Sequence, residues 1–341
     1  MRKLLIDARI RSFASQYSTE LQAQQNHVVE DLEELRDNVI AYNTWADATA
    51  PRDYIDEIIK DYPSLLTLEP KDWDINKYDN ILARDPGMLT REVIYDYTKP
   101  RKYKGVLRPA KAKSDKLYER IMFCLRYSDA RIILGEIHQQ MGLRACFYCN
   151  IQALDSSDGQ VFYEMDHLKA QSQYPFLGTC FYNLQPCDSA CNKRKLTKPC
   201  DFQMYINDAT EERSPFKFVP QVVQLGSTWS YDCLKIDFLD RNGAFSQECK
   251  DYDETFQIIK HYAAHRKDVA EIYSDNQKFA SAGSVASYIA AIGAAPSKDD
   301  LCQLFLKSPY DEDRIHEAPL NKLKIDTIKQ LEEKGVLIVY P

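Results

Sequence analysis

The chain has 341 residues, of which 44% are hydrophobic and 28% charged, an ordinary globular composition that excludes collagen-like, disordered and disulfide-scaffold classes. Its 51 acidic and 44 basic residues leave a net charge of −7, which by itself disfavours non-specific binding to a polyanion. The longest uncharged stretch, Phe279 to Pro296, is too short and too rich in Ala, Ser and Gly to span a bilayer, and Arg2-Lys3 leads into a charged amphipathic run rather than a signal-peptide core, so a cytoplasmic protein without membrane segments is expected.

Apolar residues from His27 to Trp45 (Val28, Val29, Leu32, Leu35, Val39, Ile40, Tyr42) recur near a 3.6-residue period and predict a helix, as does Tyr54 to Tyr62. Prolines break Pro63 to Pro109 into loops and short helices. Within it, Thr98 to Lys113 reads as an exposed basic linker or arm, with Pro100, Gly105 and Pro109 among lysines. Charge is uneven along this half. His27 to Tyr97 carries 17 acidic against 7 basic residues, and Thr98 to Arg120 carries 9 basic against 2 acidic. Tyr97, Tyr103 and Tyr118 interleave with these lysines, and local packing is their simpler reading.

Ser114 to Leu143 predicts a second strong helix, with Ser114 as cap, a break at Ser128-Asp129 and Gly142 as terminator. Val161 to Met165 has strand composition, and Gln185 to Arg194 is expected to enter a short helix. Short β-like runs follow at Phe216–Val219 and Leu234–Phe238. Helices are predicted over Asp251–Tyr273 and Ser281–Ile292, from Ser297 onward and over Leu320–Lys334, with an apolar tail at Val336–Val339. The expected organisation is a helical N-terminal region (1–115), a central core (116–215) and a mainly helical C-terminal region (216–341).

Six of the ten cysteines fall between residues 146 and 200. In a chain without a secretory signal such clustering points to metal before disulfides. Cys146 and Cys149 form a knuckle whose thiolates can share one face of a tetrahedral zinc ion, and Cys187 with Cys191 supplies a second pair about 40 residues on. The second spacing is three residues rather than two, which leaves Cys180 or Cys200 as alternative ligands. Between the pairs lies Asp166-His167 at the end of the strand-like run. The imidazole is suited to removing a proton from water, and the carboxylate to ligating a hard cation. Asn183 is placed to hold a loop by hydrogen bonds. Asn192 opens a helix facing the same cation, and Lys193, Arg194 and Lys195 supply charge for a phosphate backbone.

Cys146-x-x-Cys149, Asp166-His167, Asn183-Leu184 and Cys187-x-x-x-Cys191-Asn192 with Lys195 together resemble the HNH endonucleases of the zinc-stabilised ββα-metal type, over roughly residues 143 to 200. Leu168-Lys169-Ala170 stands where many relatives carry Pro or Arg-Pro. The resemblance implies an α+β fold: a mainly helical chain around a small central ββα-metal nuclease core. It implies His167 as general base, Asp166 and Asn192 as ligands of a catalytic Mg²⁺ or Mn²⁺, Asn183 as the residue orienting the histidine loop, and Cys146, Cys149, Cys187 and Cys191 as structural zinc ligands. Metal-assisted phosphodiester hydrolysis would follow, with DNA the expected substrate and Lys195 a candidate to neutralise a phosphate oxygen. The arrangement also loosely resembles the HNH components of bacterial anti-phage systems such as Septu and retron-associated cassettes, which implies a protein partner, an ATPase. The alternative is a zinc-bound module that binds nucleic acid or protein without cleaving.

Overall fold

The computed structural model describes residues 1–24, 27–41, 45, 47–97, 101–103, 106–108, 112–157, 159–196, 202–223, 231–279, 287, 291, 293, 303, 306–307 and 310–335. After a two-residue strand β1 (Leu4–Leu5), helix α1 (Ala8–Gln24) buries Ile10, Ala14, Tyr17 and Leu21, one stripe at helical spacing. Helix α2 (Val28–Ala41) buries Val28, Leu32, Leu35 and Val39, and α3 (Thr49–Asp61) packs Tyr54, Ile55 and Ile58 against it. Both follow the predicted periodicity. A short α4 (Ile75–Leu82) is capped by Asp74, whose carboxylate accepts from the Lys77 N–H.

The expected basic linker takes a different form. Strands β2 (Glu92–Tyr97) and β5 (Ala112–Lys116) pair antiparallel, and β3 (Arg101–Tyr103) pairs with β4 (Val106–Arg108) between them. Pairing satisfies backbone groups that a loop leaves to water. Ser114 consequently lies in β5 opposite Ile94 and caps no helix. Helix α5 (Leu117–Cys124) begins later, where the Glu119 carboxylate accepts from the Lys116 N–H at 2.9 Å. The break before α6 (Tyr127–Gln140) comes at Arg126, in the left-handed region at φ 58°, two residues ahead of Ser128. Gly142, at φ 80°, ends α6 as predicted: its N–H reaches the Gln139 carbonyl, and that of Leu143 reaches the His138 carbonyl.

A small hairpin, β6 (Ser156–Ser157) with β7 (Gln160–Val161), precedes β8 (Glu164–His167). The predicted strand thus starts three residues late. Strand β8 pairs antiparallel with β9 (Leu184–Cys187), with Asp166 opposite Gln185 and His167 opposite Leu184. The predicted helix entry at Gln185 is therefore a strand, and α7 (Ser189–Lys195) starts only after Asp188, whose carboxylate accepts from the N–H groups of Ala190 and Cys191. Strand β10 (Tyr205–Ile206) runs parallel to β1, joining the start of the chain to its middle.

In the C-terminal region β11 (Phe216–Val222) and β12 (Leu234–Asp240) form an antiparallel hairpin with Phe218 opposite Phe238, close to the predicted β-like runs. Helices α8 (Gln247–Phe256), α9 (Ile258–Tyr262) and α10 (Arg266–Phe279) follow, and α11 (Asn321–Glu333) packs on β11. The predicted helices at Ser281–Ile292 and from Ser297, and the tail at Val336–Val339, lie outside the described residues apart from isolated positions.

The fold is α+β, with six two-stranded sheets among the described residues. One apolar cluster extends from Met1 to Leu323 and draws on all three predicted regions. A smaller one joins Ile272, Leu306, Ile315, Ile325, Ile328 and Leu331. No helix among the described residues is long and apolar enough to cross a membrane.

Candidate metal centre and hairpin site

Helix α7 connects two clusters of polar side chains, one at each end. At its N-terminal end, ligand atoms of Cys146, Cys149, Asp188 and Cys191 all lie within 4.8 Å of one another. Three of the four predicted zinc ligands are thus brought together, and Cys187 is not the fourth. Successive side chains of an extended strand point to opposite sides. Cys187 closes β9 opposite Glu164, where burial and the nearby Asp166 carboxylate push its thiol well up. Asp188, one residue on, turns its Oδ2 to 3.5 Å from the Cys149 sulfur. Asp188-x-x-Cys191 repeats the two-residue spacing of Cys146-x-x-Cys149, and this resolves the unusual three-residue gap. Of the alternative ligands, Cys180 donates instead to the Leu68 carbonyl at 3.3 Å, and Cys200 lies outside the described residues.

The donor chemistry of this group suits zinc, which takes thiolates with a single oxygen or nitrogen ligand in tetrahedral sites. Backbone N–H groups already serve the sulfurs: Asp188 N–H to Cys146 Sγ and Ile151 N–H to Cys149 Sγ, both 3.4 Å. The neighbouring Cys146 and Cys191 thiols and the Ile151 N–H hold Cys149 below the usual thiol range.

The knuckle owes its shape to distant parts of the chain. Tyr252 of α8 donates to the Tyr148 carbonyl and Tyr262 of α9 to the Cys149 carbonyl, both at 2.7 Å. The amine of Met1 donates to the Phe147 carbonyl at 2.8 Å. Asn150, left-handed at φ 54° and fully buried, donates to the Ile315 carbonyl and accepts the Lys322 N–H at 2.9 Å. The C-terminal helices, predicted only as a flanking extension, thus close over the metal group.

At the other end of α7 stand Asp166 and His167. The His167 Nε2 is 2.9 Å from the Gly178 carbonyl. A carbonyl only accepts, so Nε2 carries the proton and the Nδ1 lone pair is left as the basic atom of the neutral ring. Burial lowers the His167 pKa to about 4, which keeps the ring neutral near pH 7. The ring packs against Tyr127 at 5.0 Å between centroids. Asn183 is fully buried. Its side chain accepts from the Lys169 N–H at 2.8 Å and donates to the carbonyls of Lys169 and Leu177 at 3.2 and 3.0 Å, tying both ends of the loop between β8 and β9.

Asp166 is 4% exposed and already partnered. The Tyr148 hydroxyl, from within the cysteine knuckle, donates to Asp166 Oδ2 and accepts from Gln185 Nε2 at 2.7 Å. The Lys195 ammonium lies 2.8 Å from Oδ2 and 3.2 Å from Oδ1, and donates to the His167 carbonyl at 3.0 Å. Burial raises the Asp166 pKa, and Lys195 and Tyr148 oppose that rise.

These contacts bear on two expectations. Lys195 is 1% exposed, so it presents no charge to a nucleic-acid backbone; of the predicted basic trio only Lys193 is exposed, and Arg194 is half-buried and donates to the Phe256 carbonyl. Both oxygens of Asp166, expected to ligate a divalent cation with Asn192, already accept hydrogen bonds, and Asn192 sits half-buried on α7. Sequence reasoning missed Asp188, whose signal was its spacing to Cys191, and Tyr148 and Gln185, which carried none. Comparison with protein-family models, with curated proteins and with solved structures finds no match.

Proposed function

We propose that β8, β9 and α7 form a zinc-stabilised nuclease unit of the HNH type that hydrolyses phosphodiester bonds in nucleic acid, with DNA the first substrate to test. The observation that carries this reading is the hydrogen bond from His167 Nε2 to the Gly178 carbonyl, which leaves Nδ1 as a neutral base at the end of a strand. In the proposed step, Nδ1 takes a proton from a water molecule whose oxygen bonds to phosphorus as the bond to the leaving oxygen breaks; that oxygen departs with the electron pair and takes a proton from solvent. Asn183 supports the reading by fixing the loop that carries Gly178. Zinc at Cys146, Cys149, Asp188 and Cys191 would take no part in the chemistry; it would hold α7 against the hairpin.

The test is a plasmid-nicking assay on zinc-loaded protein with Mg²⁺, Mn²⁺ or EDTA, comparing wild type with His167→Ala. A general base is typically worth about 10²–10⁴-fold. The variant should lose activity on that scale while keeping its melting temperature; equal cleavage by both proteins would overturn the role of His167.

A second reading has its own observation. The closed Asp166–Lys195 pair, with His167 only 8% exposed, also suits a zinc module that binds nucleic acid or a protein partner without cutting. Retention of DNA by the wild type without any nicking, in every metal condition, would favour it.

A further inference from the structure

We propose that Lys195 is the permanent cation of Asp166, and that Asp166 is therefore not a ligand for a divalent metal. The argument starts from helix geometry. Cys191 and Lys195 are spaced i, i+4 and share one face of α7, with Asp188 as the N-cap ahead of it, so the helix carries metal-group ligands at one end and an ammonium at the other. Cys191 and Lys195 are both buried on that face. The fold thus delivers Lys195 to the hairpin with its whole stem enclosed.

Once there, the ammonium uses its donors on Asp166 Oδ1 and Oδ2 and on the His167 carbonyl. The carboxylate has a further donor in the Tyr148 hydroxyl, which is itself held by Gln185. A hard cation such as Mg²⁺ binds through several oxygens and keeps some of its waters. A cation on either oxygen of this buried carboxylate would meet the Lys195 ammonium, which contacts both, so its entry would require the ammonium to leave. An ammonium at 1% exposure, stripped of its counter-ion, is a buried unpaired charge, among the least favourable states a protein can hold. The tethered ammonium has no translational freedom to lose, so it outcompetes a free ion for this place. Its third bond, to the His167 carbonyl, makes the same residue the clamp between α7 and the strand end.

This assignment stands on the ion pair and not on the nuclease reading, and its test needs no activity. Zinc-loaded protein, wild type and Asp166→Asn, would be titrated with Mn²⁺ and free Mn²⁺ followed by electron paramagnetic resonance. The expected result is that the two proteins take up Mn²⁺ alike. Stoichiometric uptake by the wild type that falls tenfold or more in Asp166→Asn, with both proteins folded by thermal melting, would overturn the proposal. A second measurement keeps the question open to refutation if Asp166→Asn does not fold. In wild type labelled with ¹⁵N at lysine Nζ, the Lys195 ammonium should give a slowly exchanging signal, identified by its loss in Lys195→Met or Lys195→Arg. That signal should persist under saturating Mg²⁺; its disappearance on adding Mg²⁺ would show the ammonium displaced and the proposal wrong. If no nucleic acid is cleaved under any condition, the nuclease reading fails and both measurements still decide this one.

Discussion

The two ends of α7 solve the same problem in opposite ways. Both bring buried acidic groups together beside the hairpin. At the N-terminal end three thiols and the Asp188 carboxylate converge on one another, a donor set whose negative charge calls for a cation from outside the chain. At the C-terminal end the Asp166 carboxylate meets a cation already built into the chain, Lys195, at 2.8 Å. The first end offers four donors that could hold a metal. The second is complete as it stands. Tyr148 joins them: its backbone belongs to the cysteine knuckle and its hydroxyl to Asp166.

Removing the outside cation should produce the largest effect. Structural zinc contributes an apparent ~10–16 kcal/mol of folding free energy in small zinc modules. Stripping it with a chelator, or Cys149→Ser, should abolish cooperative unfolding, and metal analysis of the untreated protein should give one zinc per chain. The sharper comparison sets Asp188→Ala, which should lower zinc affinity by about 10–100-fold or more, against Cys187→Ser, which should keep wild-type zinc content. A chromophoric chelator competition measures both.

Breaking the built-in pair should cost less but still be severe. Lys195→Met leaves Asp166 buried without its cation, a change worth about 3–5 kcal/mol in urea unfolding. The Asp166→Asn, Lys195→Met double variant, which removes both charges, should recover much of that loss without altering zinc content. If the double variant is as unstable as the single, the charge is not what the pair contributes.

Acid should also weaken the fold, through a residue outside both clusters. His138 is fully buried, and burial lowers its pKa from 6.5 to about 3. Between these values the unfolded state binds the proton and the folded state does not, so stability must fall as pH drops through 6.5 and continue to fall toward about 3. At about 1.4 kcal/mol per pKa unit the loss reaches a few kcal/mol. His138→Gln should flatten that part of the stability–pH curve. The smallest expected effect belongs to the link between the two ends: Tyr148→Phe removes one hydroxyl from Asp166 and Gln185 and should cost about 1–3 kcal/mol, with zinc content unchanged.

Much of the helical part of the chain was legible because its signal is local. The stripes of α2 and α3 and the Gly142 terminator read off the sequence at helical spacing, and the α11 region likewise. The ribbon from β2 to β5 was not, because pairing depends on which strand lies opposite, and Pro, Gly and Lys fit a linker equally well. The site divides in the same manner. Cys146, Cys149, Cys191, His167 and Asn183 are chemically distinctive and closely spaced, and the structure gives each a defined local partner. Cys187 misled because pattern matching favours sulfur over oxygen, whereas the strand's alternation selects the next residue. Lys195 misled because a lysine in a basic run reads as surface; only its three-dimensional partner, Asp166, reveals that it is core.

The bond between Asn150 and Lys322 spans 172 residues of sequence. A ribosome extends a chain by roughly 5–20 residues per second, so on the order of ten to thirty seconds pass between emergence of the cysteine knuckle and of the segment that receives Asn150. Asp188 and Cys191 are synthesised within that interval, so all four donors precede the segment that covers them. The contact that buries Asn150 can therefore form only after the whole donor group has been made.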